Sequence, residues 1–248
     1  MPLRHRMALV TWISKIMSLT RFLLAFALLP FLPVIARING AARNWSVGKC
    51  LKYMKKKYGC SFEFSKPHYP LSTSRGVLDI FVKTDKYPGR DIFVRQICDE
   101  KPHIILDNLV AVKYEEQTAE CITQIAHEVF GECKAIYQVD DRHILPPTFD
   151  DAMTLSEFLA SWDANLLAFV VLPPDHSDAH VEDELHRLFD VLKARNIACN
   201  FMTFYAVDDE QYQAMKCKVD VSQNMYQFKA KGRLEIDDRF EIKFLKQW

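Results

Sequence analysis

The chain has 248 residues, 49% of them hydrophobic, with 7 Gly and 11 Pro, which fits a globular protein and excludes disordered and collagen-like classes. Lys plus Arg and Asp plus Glu both number 32, so the formal charge is zero. The cationic field on which nucleic-acid affinity rests is missing, and no nucleic-acid partner is expected.

The first feature along the chain is the apolar run Phe22 to Ala36 (FLLAFALLPFLPVIA), bordered by Arg21 and Arg37. About fifteen residues at ~1.5 Å each reach some 22 Å of a ~30 Å hydrocarbon layer, the size of a signal-peptide core. Extending it back from Thr20 to Ala8 would carry Lys15 and Arg21 into the membrane at a few kcal/mol each. Small residues suited to processing stand at Val34-Ile35-Ala36 and at Gly40-Ala41-Ala42, and Met17 offers an internal start beside Met1 and Met7. Lys49 before Cys50 does not fit a lipoprotein signal. Arg4, Arg6, Lys15 and Arg21 precede the run, which keeps the amino end inside and sends the rest outward. Residues 1–42 therefore read as a signal peptide or signal anchor. Residues 43–248 read as an extracytoplasmic α+β domain, with a sub-boundary near Pro146-Pro147 as an alternative organisation. The competing account is a buried helix of a cytosolic protein.

Ser46 is placed to cap a helix over Val47, Cys50, Leu51, Met54 and Tyr58, stopped by Gly59, with Lys52, Lys55, Lys56 and Lys57 on a solvated or lipid-facing side. From Cys60 the period becomes two: Ser61 to Phe64 alternates, and Val77 to Lys83 with Asp91 to Cys98 forms a hairpin around Pro88-Gly89. A helix opens at Asp107 or Asn108 and ends at Gly131, followed by a strand from Cys133 to Val139. Thr154 and Glu157 make a capping box for a short helix. The run Asn165 to Leu172, the helix from Ser177 or Asp178 with Val181, Leu185, Leu188 and Leu192 on one stripe, and the strand Ile197 to Val207 make a βαβ or split-βαβ unit. A short helix follows from Asp208, and strands Met225 to Lys229 and Arg239 to Phe244 close the fold. The expected class is α+β: an N-terminal hydrophobic helix, then a mixed sheet with packed helices.

The seven cysteines (50, 60, 98, 121, 133, 199 and 217) form no CxxC pair, so zinc-ribbon and thioredoxin-like readings lack support. An exported chain can pair some of them, with one thiol left over; Cys50, Cys121 and Cys133 also read as small buried hydrophobes.

No set of side chains reads as an active site. His176, Asp178, His180, Glu182 and His186 bring ligand types together, but a solvated helix face accounts for them better than a metal. His127-Glu128 lacks the second histidine of an HExxH site, because Gly131 occupies that position. Cys98 and His103 are close enough in sequence for a thiol–imidazole pair. Asp140, Asp141, Asp150 and Asp151 are carboxylates without calcium-loop spacing. Asn44-Trp45-Ser46 is a glycosylation sequon with meaning only in a eukaryotic secretory pathway. Catalytic residues stay unassigned, and no cofactor or metal is expected.

Tyr53 to Gly59 (YMKKKYG), Phe62-Glu63-Phe64, Asp107-Asn108 with Val112-Lys113-Tyr114, and Met153 to Leu159 (MTLSEFL) together resemble a loose group of small exported proteins of Gram-positive gut-type bacteria. The resemblance implies an amino-terminal signal or anchor and one α+β domain, without an assigned activity or functional residues. The long basic leader and the number of cysteines depart from that group. The function expected is a secreted or membrane-tethered binding module for a protein or envelope component, which touches membrane through its N-terminal helix. The alternative is an exported hydrolase or thiol-dependent enzyme whose catalytic residues are distant in sequence.

Overall fold

The computed structural model describes residues 32–67, 76–97, 99, 103–140 and 143–247, with side chains described between 45 and 243. The chain divides into two compact units, Met1–Lys49 and Cys50–Trp248. Most of the apolar run, Cys98 and Asp141 lie outside the described residues. Among the described residues no helix is long and apolar enough to cross a membrane.

The second unit is mixed α+β, as expected at that level, but its strands form two sheets and not the one mixed sheet expected. Helix α1 (Leu32–Tyr58) runs straight through Ser46, so that residue is not a cap. Gly59 ends the helix at φ 68°, where glycine alone avoids a steric penalty. Cys50, Met54 and Tyr58 are buried at its end, as their spacing requires.

Strands β1 (Glu63–Pro67), β2 (Val77–Lys83), β3 (Ile92–Ile97) and β4 (Ile104–Asp107) form an antiparallel meander in that order. The hairpin β2–β3 pairs Val77 with Ile97 through Val82 with Ile92. Asp79 and Arg95 face each other in it as a bidentate pair, at 2.7 and 2.8 Å.

Helix α2 (Leu109–Phe130) buries Ile122, Ile125, Ala126, Val129 and Phe130, and touches both β3 of the first sheet and β5 (Lys134–Ile136) of the second. It is the element through which the two sheets share a core. Helix α3 (Leu155–Ala160) has the full capping box: Thr154 Oγ1 accepts from Glu157 N, and Glu157 accepts from Thr154 N.

The second sheet runs β5, β6 (Leu166–Leu172), β7 (Cys199–Tyr205), β8 (Ala230–Ile236) and β9 (Ile242–Gln247). β6 and β7 are parallel, joined by α4 (Val181–Arg195), which establishes the βαβ unit; every other pairing is antiparallel. Val181, Leu185, Leu188 and Leu192 are fully buried on one stripe of α4, each contributing ~1.5–3 kcal/mol. Asn196 ends the helix in the left-handed conformation.

Helices α5 (Asp209–Ala214) and α6 (Lys218–Asn224) cover a second core, with Phe169, Val171 and Phe204 packed on Tyr212, Met215, Val221 and Phe228. The strand expected over Met225 to Lys229 is absent. That stretch follows α6, with Tyr226 86% exposed, and the strand begins instead at Ala230. Gly232 lies opposite Thr203 in the β7–β8 register. A Cβ there would stand 2.5 Å from Thr203 Oγ1 and 2.9 Å from Val181 Cγ1, so glycine is what lets α4 settle on the sheet.

Candidate functional site

In open α/β sheets, ligands favour the carboxyl ends of parallel strands. Here the ends of β6 and β7 carry a polar cluster built around Glu184. Strand β6 ends at Leu172 and continues into Pro173, Pro174 and His176; strand β7 ends at Tyr205; and α4 presents Glu184 between them. His176 Nε2 lies 2.7 Å from Glu184 Oε1, and the Tyr205 hydroxyl donates to Glu184 Oε2 at 2.8 Å. The His176 and Tyr205 rings pack at 5.8 Å. Lys229 Nζ holds the loop by donating to the carbonyl oxygens of Pro174 and His176, at 2.8 and 3.0 Å.

Glu184 is 7% exposed, so its charge needs these donors. Burial and then the carboxylate hold the Tyr205 hydroxyl far above its ordinary range, which keeps it a donor. Because the carboxylate accepts, Nε2 is assigned as the nitrogen that donates to it. A carboxylate-oriented imidazole is one half of a general-base device. The other half would be a nucleophile, and no described side chain hydrogen-bonds Nδ1.

The histidine-rich segment is thus divided. His180, Glu182 and His186 are exposed, as a solvated face requires, but His176 folds back on Glu184. Among the described residues no group of three or more His, Cys, Asp or Glu side chains could hold a metal. Glu184 was missed by reading the helix as one apolar stripe with polar surroundings. Its position three residues after Val181 and four before Leu188 was the available signal.

A second cluster surrounds Asp107, which is 1% exposed. Lys57 Nζ reaches Oδ2 at 2.9 Å, while Tyr58 OH at 2.6 Å and the Leu109 backbone N–H at 3.0 Å donate to Oδ1. Burial, then Asp107, hold the Tyr58 hydroxyl well above its usual range. The cluster ties the end of α1 to the β4–α2 junction.

The acidic loop after Pro147 is docked by cations. Asp151 pairs with Lys86 at 2.6 Å and Lys113 at 3.5 Å, and Lys113 and Tyr114 also donate to the Met153 carbonyl oxygen. Asp140 pairs with Lys218, and Asp150 caps its own turn at Ala152 N. Asp140, Asp150 and Asp151 thus answer lysines and a backbone amide.

Cys60, Cys121, Cys133, Cys199 and Cys217 are free thiols, and Cys50 Sγ donates to Gln96 Oε1 at 3.6 Å. The fold brings Cys133 within 4.0 Å of His127 Nδ1, a thiol–imidazole contact that sequence spacing did not suggest. That nitrogen donates to the Gly131 carbonyl oxygen at 2.8 Å, so it cannot also take the thiol proton. Burial pushes the Cys133 thiol up to about 11, and burial raises Cys121 and Cys199 as well. A polar groove of about 280 Å³ opens beside the start of β1, between Glu63, Lys83, Thr84 and Asp85, with Thr84 Oγ1 donating to Cys60 Sγ at 3.6 Å.

No family model and no curated protein matches the chain. A solved structure of a DUF5037 family protein from Ruminococcus gnavus is similar to it over 79% of this chain and 93% of that one, at 12% identity and a TM-score of 0.40.

Proposed function

We propose that this chain is an exported domain, secreted or tethered by its N-terminal segment, that acts by binding another protein or an envelope component. The observation that carries the non-catalytic part is the engagement of its reactive groups. Glu184 and Asp107 each have both oxygens bonded within the fold, and the His127 nitrogen nearest Cys133 is already a donor. Export is supported by the arginine-bordered run Phe22 to Ala36 and the basic residues before it. The test is alkylation of the native chain by a thiol-reactive probe at neutral pH, read by mass spectrometry. Uniformly slow labelling agrees with a binder, and one hyper-reactive cysteine overturns it in favour of a thiol enzyme.

A second reading is favoured by one observation, the 2.7 Å His176–Glu184 contact at the end of two parallel strands. It makes the chain an acid–base hydrolase with His176 as the base. Hydrolysis of activated esters by the wild type, lost in His176→Ala, would support it. Equal rates in both chains remove it.

A further inference from the structure

The segment from His143 to Phe149, with Pro147 and Thr148 exposed, leads from the second sheet to the first. Leu145 N donates to the Asp107 carbonyl oxygen at 2.9 Å, an isolated bridge at the end of β4. Leu145 and Phe149 are buried, Phe149 packs edge-on against Phe158 at 6.2 Å, and its carbonyl oxygen lies 3.3 Å from Tyr58 OH. The far end is held by His143, whose backbone N–H donates to the Asp140 carbonyl oxygen and whose ring bonds to the Ala164 backbone. Its other ring nitrogen, Nε2, is buried with no hydrogen-bond partner. We propose that the 143–149 segment is an acid-releasable strap, latched by the neutral His143 ring and opened when that ring takes a second proton.

A proton on Nε2 would place an N–H donor and a positive charge where no acceptor stands. The charged groups facing the ring are Asp140, before the segment, and Lys218, at the start of α6; they pair with each other at 3.4 Å and act on the imidazole with opposite sign. Burial outweighs the Ala164 backbone hydrogen bond, which favours the charged ring, and holds the ring below its ordinary 6.5. Once the strap leaves the core the ring recovers that ordinary value. Protons bind the open form more tightly, so opening is favoured as pH falls below 6.5, by at most about thirtyfold at pH 5.0.

Hydrogen exchange on the full chain at pH 7.5 and 5.0, corrected for intrinsic rates, tests this at the amides of Leu145 and Phe149. The expected result is a several-fold loss of protection at pH 5.0 in the wild type, confined to the strap, with Phe201 and Val170 unchanged. His143→Gln and His143→Leu should show no pH-dependent loss there. Equal loss in wild type and variants, or loss spread evenly over β6 and β7, overturns the proposal. An independent reading on the wild type alone is the NMR titration of the His143 ring, expected to have its midpoint below 6.5; a midpoint at or above that value also overturns it.

Discussion

Lys57 and Asp107 form a buried ion pair 2.9 Å apart, with side chains 8% and 1% exposed, fifty positions apart in sequence. Such a pair adds little over an apolar substitute, yet breaking it from one side leaves a charge stranded. Lys57→Met should therefore cost ~3–5 kcal/mol in urea unfolding. The double variant Lys57→Met with Asp107→Leu should recover part of that loss. Additive costs for the two single changes would show that the pair is not coupled.

Tyr205→Phe removes one of the two donors to Glu184 while leaving the ring in place. An unsatisfied carboxylate oxygen costs about 1–3 kcal/mol. The loss should vanish when Glu184→Leu is made in the same chain, because the unpaired acceptor is then gone. Thermal unfolding of the two single variants and the double variant measures the difference.

Gly232→Ala should destabilise by about 1–3 kcal/mol, because the new methyl meets Thr203 Oγ1 and Val181 Cγ1 below contact distance. Thr203→Ala in the same background removes the nearer obstacle and should restore part of the loss. A neutral Gly232→Ala in denaturant unfolding would mean that α4 stands further from the sheet than described.

Lys86 holds the Asp151 carboxyl below its usual range despite partial burial. A depressed folded-state value means that the stabilisation is complete above the unfolded value of 3.8 and is lost as pH falls through the folded one. Asp151→Asn should thus flatten the acid limb of the stability–pH curve below about pH 5 and leave its slope near neutrality unchanged. The effect is modest, since both partners are partly solvated.

Much of this fold was legible because its periodicities are strong. The β2–β3 hairpin, the helix from Leu109 to Gly131, the capping box at Thr154 and the β6–α4–β7 unit each follow from alternation, helical spacing or a cap. The failures have physical causes. Ser46 has the chemistry of a cap, but an uninterrupted helix already satisfies its backbone. β8 was obscured by Lys231, Gly232, Arg233 and Glu235, whose polarity hides a strand buried by long-range packing. The polar clusters were the least legible, because His176, Glu184 and Tyr205 meet only when a parallel crossover closes, and Lys57 meets Asp107 only across two elements. Side-chain spacing on one helix carries no record of such encounters.

The proposed function has two halves, export of the chain and action by binding. Fractionation of the native host, with amino-terminal sequencing of the recovered protein, tests the first half of it most directly. Export requires recovery in the envelope or medium, with a mature terminus at Arg37 or Arg43 or with the apolar segment retained in membrane. Recovery of the intact chain from the soluble cytosolic fraction would contradict it.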